Sequence, residues 1–495
     1  MHTFTDISPE QIDNALERSW QAFQTYRLLP LARRAELLRA IAAELEDMGD
    51  AWLKTAQEET HLPEARLRTE RARTIFQLES YGLACAQGDW MRVSIDTALP
   101  DRNPPRADLR KMMIPLGPVV VFGASNFPYA YSTAGGDTAS ALAAGCSIIV
   151  KAHPAHPQTS LLAAQAIQRA IQKTALPADL FQLVYGASFE VGKKLVQHPR
   201  TAAVGFTGSY TGGKQLFDWA YQRAHPIPVF AEMGSINPIF LLPERLQKEA
   251  SSLAETIAAS VTLGVGQFCT NPGILVATAG EGLAVFQTRL TELLKQTIPA
   301  AMLHSGIQRA YLEKSAQLRQ QPGVETHLPA SEGAQGTATP QLTQVEAKKF
   351  LENHSLHQEV FGPATLLVVC STTEELYEVA ACIEGQLTCT VFGSNQELLK
   401  YQTLCEQLRM HCGRLIFNSV PTGVEVVQST HHGGPFPATT DSRFTAVGSD
   451  AILRFARPLC FQNCPEELLP IELKSDNPLQ LWRKVNGQWT NGSIG

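Results

Sequence analysis

The sequence has little excess charge of either sign. Its 41 Lys and Arg against 47 Asp and Glu leave a net −6 over 495 residues. That value aids solubility but makes no basic footprint, so no nucleic-acid partner is expected. The first residues, Met1-His2-Thr3-Phe4-Thr5-Asp6, lack a basic segment followed by an apolar run, so no secretory signal is expected. Long apolar runs are missing too. The longest stretch without charge, 112–136, contains Pro115, Pro118, Asn126 and Pro128, which would leave backbone groups unpaired in lipid. A buried strand and loop is expected there, and no membrane partner. The ten cysteines form no CxxC pair, and no Cys/His spacing suits zinc. They are expected as reduced thiols in a cytoplasmic protein. Internal repeats and low-complexity segments are absent as well.

What is present is an ordinary globular composition, 44% hydrophobic and 18% charged, long enough for two to four domains. The first ninety residues read as helices. Ser8-Pro9-Glu10-Gln11 has the form of an N-cap with Pro at N1 and Gln at N3, and 33–45 carries apolar residues at helical spacing. The dense charges Glu64, Arg66, Arg68, Glu70, Arg71 and Arg73 read as a solvated helical face, and 97–110 as a loop or exposed hairpin. From Pro118 short apolar strands alternate with helices: strands at 119–122, 148–150, 183–185 and 202–206, helices at 132–144, 159–174 and 189–197. This alternation predicts a parallel, doubly wound α/β sheet, with ligands at the carboxyl ends of its strands. Those ends are Ser125-Asn126, Lys151 and Thr207-Gly208-Ser209. A second α/β stretch follows Ile236-Asn237-Pro238, with a helix at 246–262 and strands at 274–277, 364–369 and 415–418. Residues 318–345 read as a loop-rich surface excursion, and the tail 460–473 as a segment that docks.

Several residues could carry chemistry. The segment Gly205-Phe206-Thr207-Gly208-Ser209-Tyr210-Thr211-Gly212-Gly213 joins a strand to a helix, so N–H groups and a positive dipole end are available to an anion; it is otherwise a plain turn. Cys269 follows Gly264 and Gly266, whose freedom lets a small side chain reach a cleft; a thiol there needs a local field to become a nucleophile. Glu232 ends an apolar run and reads either as a water-activating base with a raised pKa or as a cap or ion-pair partner. The Asn126 amide could donate to an oxyanion or serve turn chemistry before Phe127-Pro128. Glu359 could bind hydroxyls or cap a loop. His431-His432 suggests no metal, since adjacent histidines point different ways and no acidic residue follows at ligand spacing.

Taken together, Ser125-Asn126-Phe127-Pro128, Lys151, Phe206-Thr207-Gly208-Ser209, Glu232-Met233-Gly234-Ser235, Gly266-Gln267-Phe268-Cys269-Thr270 and Glu359-Val360-Phe361-Gly362-Pro363 resemble, in order, the aldehyde dehydrogenase superfamily. The 37 residues from 232 to 269 are similar to the family's spacing as well. The Ser-Asn-Phe-Pro form, Pro421-Thr422-Gly423-Val424-Glu425-Val426 and the segment from His431-His432 to Thr440 resemble a branch. It contains the 2-oxoglutarate semialdehyde (2,5-dioxopentanoate) dehydrogenases and an NADP-dependent fatty aldehyde dehydrogenase.

The resemblance implies a Rossmann-type coenzyme domain (1–96 and 116–234), an α/β catalytic domain (235–445) and a small β oligomerisation element (97–115 and 460–495) of a homodimer or homotetramer. It implies Cys269 as nucleophile, Asn126 and the Cys269 N–H as oxyanion donors, and Glu232 as the base of hydrolysis. Ser209, with Thr207, Gly208 and Gly212, would meet the coenzyme pyrophosphate, Lys151 the adenosine ribose, and Glu359 with Phe361 the nicotinamide ribose. Where NAD-preferring members carry Glu three residues after the lysine, this chain has Pro154; Lys151 and His153 could donate to a 2′-phosphate, so NADP is expected, with NAD possible. Glu-Met-Gly-Ser replaces the commoner Glu-Leu-Gly-Gly. The expected substrate is 2-oxoglutarate semialdehyde, with Arg443 and Arg454 as candidate carboxylate partners. The alternatives are a long-chain aldehyde, an acylating reductase, which Glu232 speaks against, and a non-catalytic nucleotide-binding scaffold.

Overall fold

The computed structural model of the chain describes residues 4–333 and 336–494. Met1 to Thr3 of the N-terminal segment, two positions of the 318–345 stretch and the final Gly495 lie outside the described residues.

Five parallel strands build the first sheet, in the spatial order Phe181–Val184, Ile148–Lys151, Val119–Phe122, Ala203–Thr207, Val229–Glu232. The chain enters at the central strand, winds outward to one side, then crosses back and winds to the other. The strand order therefore reverses between Val119–Phe122 and Ala203–Thr207, where a crevice opens at the carboxyl ends. The central strand is buried throughout, and its alternation divides it between two cores. Val119 and Val121 pack with Leu37, Leu38 and Ile41 of the helix Leu31–Asp47. Val120 and Phe122 pack with Ile12 and Leu16 of the helix Pro9–Tyr26. Covering both faces is what a parallel sheet of β-branched residues requires. The second of these helices begins with the expected box: the Ser8 side chain accepts from the Gln11 N–H, and the Gln11 side chain accepts from the Ser8 N–H.

The helix expected over 132–144 begins only at Gly136 and runs as Gly136–Ala144. A turn occupies the preceding residues, closed by the Gly136 N–H donating to the Ala130 carbonyl at 3.0 Å.

The second sheet has seven strands in the order Glu325–Leu328, Gln341–Glu346, Ala364–Cys370, Ile274–Thr278, Ile239–Leu241, Gln386–Phe392, Cys412–Phe417. All pair in parallel except the first, which runs antiparallel. This corrects the reading of 318–345 as a surface excursion. Gln341–Glu346 lies inside the sheet, and its Gln341 and Thr343 are buried. Their polarity hides a strand that neighbouring strands satisfy on both sides.

A third sheet joins distant parts of the chain: Ala456–Gln462, Leu109–Pro115, Ser94–Asp96, Arg483–Val485 and Gln488–Thr490. The tail docks as expected, through Ala456–Gln462 paired along Leu109–Pro115 and through buried Leu469 and Leu473. No helix among the described residues is long and apolar enough to cross a membrane.

Candidate active site

One cleft at the reversal point is lined by Asn126, His153, Thr207, Gly208, Ser209, Gly212, Glu232, Cys269, Glu359 and Phe361. These are all the site residues expected from sequence except Lys151. Lys151 ends the neighbouring strand with its Nζ 5.9 Å from the centre of the Phe122 ring, and burial pushes its pKa down.

The turn before Cys269 is built from three consecutive residues with left-handed backbone, Gly264, Val265 and Gly266, at φ 54°, 58° and 64°. Gly266 is also a close approach: a Cβ there would sit 2.3 Å from the Gly362 carbonyl oxygen. The loop carrying the thiol is thereby pressed against the loop carrying Glu359 and Phe361. Asn237 holds the other side, donating from Nδ2 to the carbonyls of Cys269 at 2.9 Å and Asn271 at 3.0 Å. The departure at Ser235 has a structural reason. Its hydroxyl donates to Gln386 Oε1 at 2.9 Å and accepts from the Leu387 N–H, fixing the Glu232 strand end to the second sheet.

Cys269, Glu232 and Asn126 converge, and a fourth residue joins them. His432 is 1% exposed, with Nε2 3.1 Å from Glu232 Oε1 and 3.7 Å from Cys269 Sγ. Asn126 Nδ2 donates to the Gln267 carbonyl at 3.2 Å, two residues before the thiol. Burial pushes the Cys269 thiol well above its ordinary value, and the Glu232 charge adds to this, while Arg73 opposes it. The thiol is therefore protonated at rest. Glu232 corrects the sequence reading of a raised pKa. Burial alone raises it, but attraction and hydrogen bonding from His432, with help from Cys269 and Arg454, bring it below the ordinary carboxylate range. A carboxylate held ionised beside a protonated thiol can accept that proton, and later one from water.

His432 escaped the sequence reading because its partners are 163 and 200 residues away in the chain. Arg66 and Arg73 are hidden for another reason: they lie in a run of charges whose composition is that of a solvated face. In the helix Glu64–Gln87, residues 66, 70 and 73 share one side, and that side turns inward while Glu64 and Arg68 stay exposed. The i, i+4, i+7 spacing was the available signal. The Arg66 guanidinium lies 4.5 Å from the Phe268 ring and 5.0 Å from the Phe127 ring, and donates to the Asn126 carbonyl. Arg73 lies 5.6 Å from the Tyr131 ring and donates to its hydroxyl at 3.3 Å. Glu70 between them spends Oε1 on the N–H groups of Tyr129 and Ala130, and burial pushes its carboxyl up. The two arginines anticipated as carboxylate partners are engaged elsewhere. Arg443 is exposed and bound to Asp441; Arg454 is buried and paired with Asp137 at 2.7 Å.

The other arm of the cleft carries a helix N-terminus, a carboxyl and a histidine. Ser209 caps the helix Tyr210–Tyr221, accepting from the Gly212 N–H at 3.2 Å, so a positive helix end meets the cleft at Thr207 to Gly212. A Cβ at Gly234 would lie 2.7 Å from Glu359 Oε2, so the glycine makes room for that carboxylate. Glu359 is pushed up to about 7, chiefly by burial, with Lys314 pulling the other way. His153 accepts the Ala155 N–H on Nδ1 at 3.1 Å, which leaves its proton on Nε2 as a donor. Burial pushes its pKa well down, so that it is neutral. His304, which caps the helix Ser305–Arg319, lies 6.1 Å from it, ring to ring.

Residues 1–436 match the model of the aldehyde dehydrogenase family. The chain is 46% identical over 480 residues to alpha-ketoglutaric semialdehyde dehydrogenase 2 of Azospirillum brasilense, covering 96% of this chain and 91% of that one. It is 41% identical over 493 residues to the alpha-ketoglutaric semialdehyde dehydrogenase of Acinetobacter baylyi, covering 99% and 93%. In fold it is similar to a Thermus 1-pyrroline-5-carboxylate dehydrogenase with bound NAD, at a TM-score of 0.79 and 21% identity over 92% of this chain and 86% of that one. With a cysteine, a carboxylate and an amide converging in one cleft, and with this similarity along nearly its whole length, the chain belongs to the aldehyde dehydrogenase family, NAD(P)-dependent enzymes that oxidise aldehydes to carboxylic acids.

Proposed function

We propose that the chain oxidises 2-oxoglutarate semialdehyde to 2-oxoglutarate, with NADP preferred, through a thioester on Cys269. The observation that carries the substrate is the pair Arg66 and Arg73, stacked on the aromatic wall beside Asn126 and Cys269. Two guanidiniums share the single Glu70 carboxyl between them, which leaves one positive charge in excess, and a substrate carboxylate suits their planar forks. The two semialdehyde dehydrogenases named above support the same substrate, since α-ketoglutaric and 2-oxoglutarate semialdehyde are one compound. The apolar part of the wall, with Val424, Val426 and Val447, supports a second reading, a long-chain aldehyde.

In this reading the Cys269 sulfur attacks the aldehyde carbon as its proton passes to the Glu232–His432 pair. The Asn126 amide and the Cys269 N–H donate to the oxyanion. NAD(P), when bound, supplies the hydride acceptor. The thioester left on Cys269 is opened by a water molecule whose proton Glu232 takes, and sulfur departs to recover its proton. Thr207, Gly208, Ser209 and Gly212 would hold the pyrophosphate, and Glu359 with Phe361 the nicotinamide ribose. At the adenosine end Pro154 presents no carboxylate to repel a 2′-phosphate, and the His153 Nε2–H, with Lys151 behind it, favours one.

The test is steady-state kinetics of reduced-coenzyme formation over a panel of aldehydes with NADP and NAD. We expect kcat/KM for 2-oxoglutarate semialdehyde to exceed that for hexanal by about 10³-fold, the worth of two charge-assisted contacts of roughly 2 kcal/mol each. NADP should be preferred by about tenfold, which is roughly 1.4 kcal/mol. A preference rising from hexanal to tetradecanal would overturn the substrate.

Glu359 gives the coenzyme a pH dependence. Its carboxyl titrates near 7, so it is neutral below that value and, above it, an anion that accepts ribose hydroxyls more strongly. Coenzyme affinity should therefore rise about tenfold as the pH is raised from about 6 to about 8, and Glu359→Gln should flatten the profile. Fluorescence titration of coenzyme at several pH values checks this.

Residues 1–96 and 116–234 are assigned to coenzyme binding, 235–445 to catalysis, and 97–115 with 460–495 to assembly of a cytoplasmic homodimer or homotetramer. The open ends of the third sheet, and Trp482 and Trp489 at 55% and 65% exposure, support assembly there. Light scattering should give the mass of two or four chains.

A further inference from the structure

We propose that Glu232, Cys269 and His432 also form a binding site for one zinc-class divalent cation, whose occupancy switches the enzyme off. The inhibitory part rests on the reading of Cys269 as the nucleophile. The three ligand atoms, one per residue, lie within 4.8 Å of one another, and among the described residues no second group of three such side chains does so. Tetrahedral zinc with Zn–S of about 2.3 Å and Zn–N and Zn–O of about 2.0–2.2 Å needs an S to N edge of about 3.5–3.6 Å and an N to O edge of about 3.3–3.4 Å. The observed edges are 3.7 Å from Cys269 Sγ to His432 Nε2 and 3.1 Å from that nitrogen to Glu232 Oε1. Shifts of about 0.1–0.3 Å bring these two edges to tetrahedral values, and the third edge, from sulfur to the carboxylate, lies within 4.8 Å and closes as the Cys269 and Glu232 side chains turn onto the ion.

A second observation points to a ligand. Glu232 is 4% exposed, and its Oε2 is buried without a well-directed hydrogen bond, although the Cys269 thiol is near enough to lower the carboxyl's pKa. A carboxylate oxygen in that position lacks the neighbour that a cation would provide. The donor set selects the metal: thiolate and imidazole with one carboxylate suit zinc or cobalt, whereas calcium and magnesium require oxygen ligands. Three protein ligands leave a fourth tetrahedral position, and Cys269 and Glu232 both open onto the cleft, from which the ion and a water molecule can enter. The sequence offered no metal-ligand spacing because the fold, rather than a local motif, brings the carboxylate to the histidine.

The ion takes Cys269 as thiolate, His432 as neutral imidazole and Glu232 as carboxylate, and whatever protons those groups carry leave to solvent as the metal bonds form. With the ion in place, the sulfur lone pair needed for attack and the carboxylate needed for hydrolysis are both engaged. Nothing is oxidised, so a chelator reverses the state.

The experiment uses full-length enzyme freed of metal by chelator and titrated with Co²⁺ alone, without coenzyme or aldehyde. We expect one ion per chain, a thiolate-to-metal absorption band in the near ultraviolet and strong tetrahedral visible bands, all displaced by Zn²⁺. In parallel, dehydrogenase activity should fall with the same Zn²⁺ stoichiometry and return on adding chelator. Cys269→Ser should abolish the thiolate band, and His432→Ala should weaken binding by about 100-fold or more, more than the loss of an outer-shell partner costs. Cys269→Ser keeps the shape of the site, so a folding defect in His432→Ala leaves the question decidable. Cys460→Ser, at an exposed thiol remote from the site, should bind Co²⁺ as the unsubstituted protein does. Absence of the thiolate band, or unchanged affinity in folded His432→Ala, overturns the site. If metal-free enzyme oxidises no aldehyde yet shows the thiolate band, the catalytic reading fails and the site stands. If it is active and binds no Co²⁺, the site alone fails.

Discussion

Cys269→Ser should lower kcat for aldehyde oxidation by on the order of 10⁴-fold or more, with coenzyme affinity unchanged. The thiol lines the cleft half-buried and is held protonated, so its reactivity depends on passing a proton to Glu232 and His432. A serine hydroxyl is less acidic still and a poorer acyl leaving group, so both halves of the reaction suffer. Glu232→Gln should behave differently. Its first turnover should still produce reduced coenzyme as a burst, because His432 remains to take the thiol proton, after which the steady state falls by about 100-fold, because water activation has no base other than the carboxylate. Stopped-flow measurement of reduced coenzyme separates the two variants. Unchanged turnover in Cys269→Ser would remove the proposed nucleophile, and a burst absent from Glu232→Gln would make the carboxylate necessary for attack as well.

The second large effect is substrate-dependent. Replacing both Arg66 and Arg73 by Ala should cost about 10³-fold in kcat/KM for 2-oxoglutarate semialdehyde, two charge-assisted contacts of roughly 2 kcal/mol each. The same variant should oxidise hexanal within about threefold of the unsubstituted enzyme, since an uncharged aldehyde offers those contacts nothing to hold. The comparison is needed because Arg66 also donates to the Asn126 carbonyl and packs on Phe127 and Phe268. A loss shared equally by both aldehydes would mean that the arginines only hold the wall in place. A loss confined to the semialdehyde identifies them as its carboxylate site.

The sequence by itself determined what depends on local pattern. The β-branched run Val119–Phe122 and its counterparts at 148–150 and 202–206 have one low-energy use, as strands covered on both faces, and the sheet forms from them. The Ser8 cap, the helix 189–197 and the glycine-flanked Cys269 were legible for the same reason: backbone preference acts over a few residues. Cys269, Glu232 and Asn126 stand on three separate segments; local signatures of glycines or strand ends make each a candidate, and the order of the motifs, resembling a family, joins them. What has no local signature was decided by the tertiary structure. Gln341–Glu346 is polar enough to read as loop, and only neighbouring strands on both sides make it interior. Arg66 and Arg73 have the composition of a solvated face; which side of their helix meets the aromatic wall depends on how that helix packs. His432 reaches Glu232 across 200 residues of chain. The ionisation of Glu232 turns on that contact, since burial and a buried partner act in opposite directions and only their distances say which prevails.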